Sequence, residues 1–286
     1  MYLSFYRFKE FPFSLACDER YFYQSSIHAE ALANMQYTIE QRKGMVMVTG
    51  EVGAGKTFVG HVLANRLGPG CTTAVVRHPP QSGKQLLRAL AAAAGMNLET
   101  DIDTLRLVEE LEQHLIRMHN RGRLVAMILD ECQDLSQKAL EEIRLLWNFE
   151  QDGQRLIQIV LIGQPELQQR LQETQWESLR QRIVLSYHLG NLTSNDTHAY
   201  IGHRLRVASI DGQPVAQFSQ EALAEVFAAT NGIPRLVNIL CDNALLVGFA
   251  RNLQCIDRAI ITEVLREMTC WNLKTSVQGQ PAPLAE

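Results

Sequence analysis

Short apolar runs alternate with amphipathic segments along the first two thirds of the chain. Each short run is typical of a strand buried in a parallel sheet, where helices cover both faces. The segments between them carry apolar residues at helical spacing, such as Leu107, Leu111 and Leu115. The pattern therefore predicts an α/β fold with a five-stranded parallel sheet flanked by helices. The predicted strands cover residues 45–49, 73–77, 124–129, 157–162 and 184–189.

Helix ends in this part of the chain carry the residues that favour them. Ser26 is expected to cap the first helix, because a serine oxygen accepts the unpaired N–H groups of a first turn. Gly44, Gly68 and Gly122 stand where helices are expected to end, a position that favours glycine. The predicted helices cover residues 26–43, 57–67, 85–94, 105–120, 137–149 and 167–173.

The pattern changes at Thr193, after which strand-like runs stop. We therefore expect a core domain over residues 25–192 and a small all-helical lid domain over residues 193–270. Residues 271–286, which are rich in proline, are predicted to be a disordered tail. The helices predicted in the lid cover residues 195–209, 220–229, 234–250 and 257–269, and proline stands early in the third.

Residues 1–24 are rich in aromatic side chains and are predicted to form an irregular strap packed across the domain. Two roles are open for it. The rings can form the wall of an adenine pocket by stacking, or they can simply anchor the strap in the core, which general burial tendencies favour. The aromatic residues are Tyr2, Phe5, Tyr6, Phe8, Phe11, Phe13, Tyr21, Phe22 and Tyr23.

The composition is that of a folded chain. Of the 286 residues, 46% are hydrophobic and 20% are charged, and the formal net charge is −4. The length predicts one large domain or two smaller ones. The net charge argues against bulk attraction to nucleic acid or acidic lipid, although it leaves a local basic face open.

The sequence also predicts the cellular compartment. No apolar run reaches the roughly 18 residues of a membrane-spanning helix, and the N-terminus lacks the basic and apolar pattern of a signal peptide. None of the six cysteines forms a Cys-x-x-Cys pair, so we interpret them as reduced thiols rather than zinc ligands. These features predict a cytoplasmic protein.

A glycine-rich loop after the first predicted strand carries the first candidate chemistry. It fits the phosphate-loop pattern of glycine, four residues, glycine, lysine and serine or threonine. An ordinary glycine turn is the alternative, but the flanking strand and helix favour phosphate binding through backbone N–H groups and the helix N-terminus. We expect Lys56 to reach the β- and γ-phosphates and Thr57 to hold Mg²⁺. The predicted nucleotide-binding residues are Gly50, Glu51, Val52, Gly53, Ala54, Gly55, Lys56, Thr57 and Phe58.

Two further polar groups follow predicted strands, where ligand groups gather in a parallel sheet. Asp130 and Glu131 follow the third strand in a Walker B pattern. Asp130 is expected to hold the Mg²⁺ shell and Glu131 to polarise the attacking water, whereas the alternative is a merely solvated pair of acids. Gln164 follows the fourth strand, either as a polar group beside the phosphates or as a turn residue before proline.

Taken together, these stretches resemble AAA+ ATPases, and in particular the ExeA/GspA group, which includes the MshM-type proteins of pilus assembly. The pieces at 161–167 and 179–183 are more specific to that group than the loop and the acidic pair alone. The matching stretches, in family order, are residues 8–13, 50–57, 129–133, 161–167, 179–183 and 232–235.

The resemblance implies roles for four residues. Gln164 stands at the position of sensor 1 and Arg235 at that of sensor 2. Either Arg180 or Arg182 stands at the arginine finger, and we favour Arg182 because the finger often directly precedes an apolar residue entering the last core strand. A surface charge is the alternative for each arginine. The resemblance also implies ATP and Mg²⁺ as cofactors, with ATP between core and lid.

The sequence departs from the group in two respects. Cys132 stands where the group usually has alanine. Longer members carry a membrane span and a peptidoglycan-binding module after the ATPase region, and this sequence contains neither. We therefore expect either a short MshM-like member or a truncated chain.

The resemblance implies that Mg²⁺-dependent ATP hydrolysis drives assembly or remodelling of a secretion or type IV pilus complex. The expected form is an ATP-dependent homo-oligomer, a ring or filament, held near the inner membrane through partners. The main alternative is a DNA-associated ATP switch resembling transposition target-selection ATPases, against which the near-neutral charge argues. A DEAD-like helicase needs a second strand–helix domain, which the predicted lid does not supply. Intact Lys56 and Glu131 argue against a scaffold without turnover.

Overall fold

In the computed structural model, which describes residues 2–78, 80 and 82–269, the short apolar runs form strands. These are β1 (Met45–Gly50), β2 (Cys71–Val76), β3 (Leu124–Leu129), β4 (Glu150–Gln151), β5 (Gln154–Arg155), β6 (Gln158–Gly163), β7 (Ile183–Leu189), β8 (Gln217–Phe218) and β9 (Cys255–Ile256). Five of them pair in parallel in the order β2-β3-β6-β1-β7, which confirms the predicted sheet. The hairpin of β4 and β5 was not predicted, because strands of two residues carry no periodicity.

The amphipathic segments form helices. Their bounds are α1 (Tyr2–Phe5), α2 (Ser26–Glu40), α3 (Lys56–Arg66), α4 (Gly83–Ala93), α5 (Thr104–Asn120), α6 (Gln137–Leu146), α7 (Pro165–Leu171), α8 (Glu177–Arg180), α9 (Ser194–Ala208), α10 (Gln220–Thr230), α11 (Pro234–Ala250) and α12 (Arg258–Thr269). The sequence analysis missed α1 and α8, because a single turn is too short to show a helical period. It was also wrong about the cap of α2. Ser25, with an extended backbone, accepts the N–H of His28 at 3.4 Å, and Ser26 is already helical.

The chain divides into two compact units. Residues Gln24–Gly190 form the α/β unit around the sheet. Among the described residues, the helical unit joins the N-terminal segment up to Tyr23 with residues 191–269. The aromatic segment thus belongs to the same unit as the C-terminal helices, a pairing that the hydrophobic pattern did not predict. The predicted disordered tail, residues 271–286, lies outside the described residues.

Alternate side chains of the sheet pack into different helical layers of the α/β unit. Met45 and Met47 of β1 lie in a buried cluster with apolar residues of α4, α5 and α6. Helices α2 and α3 pack against β1 and β6. A Cβ at Gly60 of α3 would lie 2.6 Å from the end of the Ile162 side chain, so glycine allows the close approach of α3 to β6. This approach fixes the helix that begins at the predicted phosphate loop.

The helical unit is built from α9, α10, α11 and α12 together with the aromatic segment. It is not entirely helical, because β8 and β9 pair in parallel. A Cβ at Gly232, where φ is +70°, would lie 2.0 Å from the carbonyl oxygen of Leu192, so this position requires glycine. The aromatic residues buried in this unit are Tyr2, Tyr6, Phe8, Phe13 and Tyr21 of the aromatic segment and Tyr200 of α9.

A buried arginine of α9 fastens the aromatic segment within the helical unit. Arg204 is 3% exposed. Its guanidinium donates to the carbonyl oxygens of Pro12 at 2.6 Å and Ser14 at 2.7 Å. It also donates to the hydroxyl of Tyr200 at 2.7 Å and lies 4.9 Å from the ring centroid of Tyr21. One side chain therefore satisfies two carbonyls of an irregular segment that has few ladder bonds of its own.

Replacing Arg204 with methionine is expected to lower the free energy of unfolding by about 2–4 kcal/mol, because the carbonyl of Pro12 in a buried bond and that of Ser14 in a partly buried bond lose charged donors. Chemical denaturation followed by circular dichroism measures this change. Arg206→Met is the matched control, since Arg206 is an exposed residue of the same helix. The control should cost no more than about 0.5 kcal/mol. Equal losses in the two variants would contradict the fastening role of Arg204.

Candidate nucleotide-binding site

Three neighbouring strands end at the same edge of the sheet and bring the predicted site residues together. The strands β3, β6 and β1 lie side by side and run in parallel. Asp130 follows the end of β3, Gln164 follows β6, and Glu51 follows β1. This edge of a parallel sheet is where ligands bind in α/β proteins.

The loop after β1 has the backbone that phosphate binding needs. Gly53 and Gly55 have φ values of +86° and +97°, a region that only glycine enters without strain. A Cβ at Gly50 would lie 2.6 Å from the carbonyl oxygen of Leu189, so the start of the loop also requires glycine. Helix α3 begins at Lys56, and its N-cap Gly55 has no side chain to satisfy the first N–H groups. These groups point toward the loop, as an anion site at a helix N-terminus requires.

Lys56 is the buried cation of this loop. It is 7% exposed, and its ammonium donates to the carbonyl oxygens of Gly50 at 2.7 Å and Glu51 at 2.8 Å. Burial lowers the pKa of Lys56, and the negative charges of Glu131 and Asp130 act against that shift. The ammonium is therefore close enough to the acidic pair to interact with its charge, and at this loop it can neutralise a phosphate group.

Asp130 and Thr57, the two predicted Mg²⁺ ligands, contact each other. The Thr57 hydroxyl forms a hydrogen bond with the Asp130 carboxylate. Asp130 is 5% exposed, and burial raises its pKa, while the bond from Thr57 acts in the opposite direction. A hydroxyl and a buried carboxylate are hard oxygen donors of the kind Mg²⁺ prefers, and a cation would offset the cost of burying the carboxylate. These residues therefore fit Mg²⁺.

Glu131 stands on a left-handed backbone with φ of +52°. Its carboxylate accepts a hydrogen bond from Nε2 of Gln133 at 2.7 Å. The backbone N–H of Gln164 donates to Oε1 of the same Gln133 amide at 3.1 Å. The predicted water-activating residue and the predicted sensor residue are thus joined through Gln133, a side chain to which the sequence analysis gave no role.

The sequence analysis also missed His28 of α2, which is 5% exposed. Its Nε2 lies 3.2 Å from the carbonyl oxygen of Ala54 in the phosphate loop, and its Nδ1 lies 2.7 Å from the hydroxyl of Ser25. A Cβ at Gly55 would lie 3.2 Å from the same Nε2. Because a carbonyl only accepts, Nε2 carries a proton. His28 therefore holds the phosphate loop through the carbonyl of Ala54. In the sequence, the only indication of this contact was that His28 lies in the helix that precedes the loop.

Arg180 and Arg182 lie at the other end of the sheet. Strand β7 begins directly after Arg182, and its first residue, Ile183, pairs with Met45, the first residue of β1. The phosphate loop follows the last residue of β1. At about 3.3 Å per residue, the two ends of β1 are roughly 16 Å apart. Neither arginine is therefore placed to contact a nucleotide on the loop of its own chain.

Both arginines contact helix ends within the α/β unit. Nη1 of Arg182 donates to the carbonyl oxygen of Arg144 in α6 at 2.7 Å. Nη1 of Arg180 donates to the carbonyl oxygens of Leu171 and Gln172 at the end of α7, at 3.3 and 3.2 Å. Arg235, the predicted sensor 2, belongs to the helical unit, where it is exposed in the first turn of α11.

Comparison with known proteins agrees with this site. Residues 39–171 match the family model of the AAA domain. General secretion pathway protein A of Aeromonas hydrophila is 39% identical over 251 residues, which are 88% of this chain and 45% of that protein. An uncharacterized HTH-type transcriptional regulator of Methanocaldococcus jannaschii is 22% identical over 166 residues, or 57% of this chain and 40% of that protein. The chain thus spans less than half the length of each of these curated relatives.

Solved structures show the same fold at low identity. The ORC2 protein of Aeropyrum pernix has a TM-score of 0.64 at 16% identity, over 91% of this chain and 72% of that chain. The RuvB Holliday junction branch migration motor of Thermotoga maritima has a TM-score of 0.60 at 17% identity, over 91% and 74% of the two chains. These likenesses establish the fold alone.

The strand order, the phosphate loop and the AAA-domain match over residues 39–171 are those of an AAA+ ATPase. Within this class, the chain resembles the ExeA/GspA group, because it is similar over most of its own length to general secretion pathway protein A.

Proposed function

We propose that this ATPase uses Mg²⁺-dependent ATP hydrolysis to drive assembly or remodelling of a secretion or type IV pilus complex. The observation that carries the proposal is the buried ammonium of Lys56, which interacts electrostatically with the carboxylates of Asp130 and Glu131 at the end of three parallel strands. A cation, two acids and a glycine loop at one strand edge are the groups that phosphoryl transfer requires.

Each group has one task in the proposed reaction. Lys56 contacts the β- and γ-phosphates and neutralises charge there. Thr57 and Asp130 hold Mg²⁺, which, when bound, offsets the negative charge of the phosphate oxygens. Glu131 orients the attacking water and accepts its proton, and Gln164 lies beside the γ-phosphate.

The cellular role rests on the relative rather than on the site. The name of the Aeromonas hydrophila protein assigns that protein to a general secretion pathway. No helix among the described residues is long and apolar enough to cross a membrane. We propose that the chain acts in the cytoplasm and reaches the inner membrane through partner proteins of the secretion or pilus machine.

We further propose that the active form is a homo-oligomer in which Arg182 of one subunit acts on ATP bound to its neighbour. Arg182 lies at the sheet end away from its own phosphate loop. Burial lowers the pKa of Arg182, and the charges of Arg144 and Arg155 act in the same direction. Arg144 and Arg155 have carboxylate partners, so Arg182 is the guanidinium of this group whose charge can attract an anion such as a neighbouring γ-phosphate.

A further part of the proposal is that Arg235 acts as sensor 2, as the family resemblance implies. The DNA-switch alternative draws on the fold alone. The Aeropyrum pernix ORC1 protein, whose solved structure is a complex with DNA, is only 16% identical to this chain. An ATPase rate that does not change when duplex DNA is added would argue against it.

Glu131→Gln is expected to retain ATP binding but to lower kcat by about 10² or more, because glutamine keeps the size of the side chain and loses the proton-accepting carboxylate. Phosphate release measured under saturating ATP gives kcat, and calorimetric titration with a slowly hydrolysed ATP analogue gives the dissociation constant. A variant that hydrolyses ATP at the wild-type rate would show that another residue is the base.

The control for this experiment is Glu109→Gln, which removes an exposed acid from α5. It should leave kcat unchanged within about twofold, since exposed surface charges contribute little. The same Glu131→Gln variant, held in its ATP-bound state, serves to capture partners. Recovery of secretion or pilus components would support the cellular role, whereas recovery of DNA without such proteins would support the DNA-switch alternative.

A further inference from the structure

Gln133 connects the end of β3, through Glu131, with the end of β6, through Gln164. It lies in the short turn Cys132–Asp134 that follows Glu131. The left-handed backbone of Glu131, with φ of +52°, reverses the chain so that the Gln133 side chain returns to the Glu131 carboxylate. A non-glycine residue persists in this strained region only where the surroundings hold it there.

Two contacts hold this turn in place. A guanidinium nitrogen of Arg170 in α7 donates to the carbonyl oxygens of Gln133 and Leu135. The buried thiol of Cys132 donates to the carbonyl oxygen of Leu129 at 3.2 Å. The backbone that carries Gln133 is therefore anchored to β3 on one side and to α7 on the other.

The orientation of the Gln133 amide follows from its partners. The backbone N–H of Gln164 is a donor only, so the atom that faces it at 3.1 Å must be the amide oxygen. The amide nitrogen therefore faces Glu131, 2.7 Å from Oε2. A Cβ at Gly163 would lie 3.2 Å from the amide oxygen, so the glycine at the end of β6 leaves room for it. Both halves of the amide thus have a defined task.

We propose that Gln133 is a positioning residue for ATP hydrolysis. Its N–H donor fixes the rotamer of Glu131 toward the phosphate loop, and its oxygen ties that rotamer to the strand end that carries Gln164. The proposal rests on the assignment of Glu131 as the water-activating base. It also predicts that the sensor strand and the base move as one unit, since a displacement of the Gln164 backbone pulls on the amide that holds Glu131.

The hydrogen bond from the Gln133 amide nitrogen to Glu131 is shorter than its bond to any other charged group nearby. Asp134 is a second acceptor for Nε2, but its distance of 3.3 Å is longer than the 2.7 Å to Glu131. The ammonium of Lys56 attracts the same carboxylate. Glu131 is thus acted on by an ammonium and held by an amide hydrogen bond.

Two substitutions of matched length separate the halves of the amide. Gln133→Met removes both the donor and the acceptor. Gln133→Glu keeps an oxygen acceptor for the N–H of Gln164 but replaces the donor by a carboxylate that repels Glu131. We expect both variants to lower kcat by about tenfold to a hundredfold, since a small displacement of a catalytic group has effects of this size. The loss should not exceed that of Glu131→Gln.

Three readouts distinguish positioning from a merely structural role. The dissociation constant of a slowly hydrolysed ATP analogue and the Tm should stay at wild-type values in both variants while kcat falls. In the Glu131→Gln background, Gln133→Met should cause no further loss, because the carboxylate that it positions is gone. Gln137→Glu, at an exposed position, introduces the same charge and should leave kcat unchanged.

The outcomes separate this inference from the proposed function. If Glu131→Gln is inactive but Gln133→Glu hydrolyses ATP at the wild-type rate, the donor bond has no positioning role and the inference is wrong. The same follows if Gln133→Met lowers kcat by equal factors with and without the Glu131 carboxylate. If Glu131→Gln itself retains wild-type kcat, the assignment of the base fails first.

Discussion

Lys56→Ala is expected to abolish measurable ATP binding and, with it, hydrolysis. The ammonium of Lys56 is buried and is held at 2.7 Å from the carbonyl oxygen of Gly50, so it is already placed at the loop before a phosphate arrives. Without it, the triphosphate would face the carboxylates of Asp130 and Glu131 with no nearby cation from this loop to balance them. At an effective dielectric constant of about 20, one pair of unit charges 4 Å apart interacts by about 4 kcal/mol, which corresponds to nearly a thousandfold in affinity.

Calorimetric titration of the purified variant with a slowly hydrolysed ATP analogue measures this loss. Lys138→Ala is the matched control, because Lys138 is an exposed lysine of α6. Circular dichroism and the Tm show whether the Lys56 variant is folded, and Lys56→Met, which keeps the apolar stem, serves as the second variant. Wild-type affinity in a folded Lys56 variant would overturn the assignment of the phosphate loop.

The placement of Lys56, Asp130 and Gln164 at one edge followed from the sequence for a general reason. Buried parallel strands are continuous apolar runs, and their carboxyl ends meet at one edge of the sheet. A polar residue directly after such a run can therefore be assigned to that edge of the sheet even when the order of the strands is unknown. The structure brings these residues together, while their separate chemical roles remain predictions.

The contacts of Gln133 and His28 were beyond this kind of reasoning. Gln133 reaches Glu131 only because Glu131 adopts a left-handed backbone, and no residue type at that position signals it. His28 reaches Ala54 across 26 positions of the sequence, through the packing of α2 beside the loop. A hydrophobic pattern predicts which face of a helix is buried, but not which polar atom of a neighbouring loop a buried imidazole meets.

The partner of the aromatic segment was also not predictable from local pattern. The aromatic side chains of Tyr2 and Tyr6 predict burial, but a burial tendency does not indicate which part of the protein covers the ring. The structure places them in a cluster with helices from the far end of the chain. Tyr6 donates to the carbonyl oxygen of Leu253 at 3.0 Å, a contact between residues 247 positions apart.

Arg182→Ala is expected to lower the ATPase rate of the assembled protein by about 10³ or more. Arginine fingers in other nucleoside triphosphate hydrolases contribute rate factors of this size. Arg182 lies at the sheet end away from its own phosphate loop and beside two other arginines. Those two have carboxylate partners, with Arg144 at 2.8 Å from Glu141 and Arg155 at 2.7 Å from Glu150. Among the described residues, no carboxylate forms an ion pair with Arg182, so its charge remains available to an anion from outside the chain.

Mixing two inactive variants tests whether this arginine acts in trans. Lys56→Ala cannot use ATP but still presents Arg182, whereas Arg182→Ala binds ATP and presents no finger. Mixed oligomers contain interfaces where an intact loop meets an intact Arg182. ATPase activity should therefore return, peak at intermediate mixing ratios, and disappear on dilution below the assembly concentration. Energy transfer between labelled subunits shows independently that the two variants exchange.

Arg180 provides the comparison that makes this test specific. Its guanidinium donates to two carbonyls at the end of α7, so it already serves its own chain as a helix C-cap. We therefore expect Arg180→Ala to lower the Tm more than it lowers the rate, and Arg182→Ala to do the reverse. If subunits exchange and the Arg182 mixture stays inactive at every ratio, Arg182 is not the finger. Recovery of activity only in a mixture of Lys56→Ala with Arg180→Ala would then identify Arg180 as the residue that reaches the neighbouring ATP.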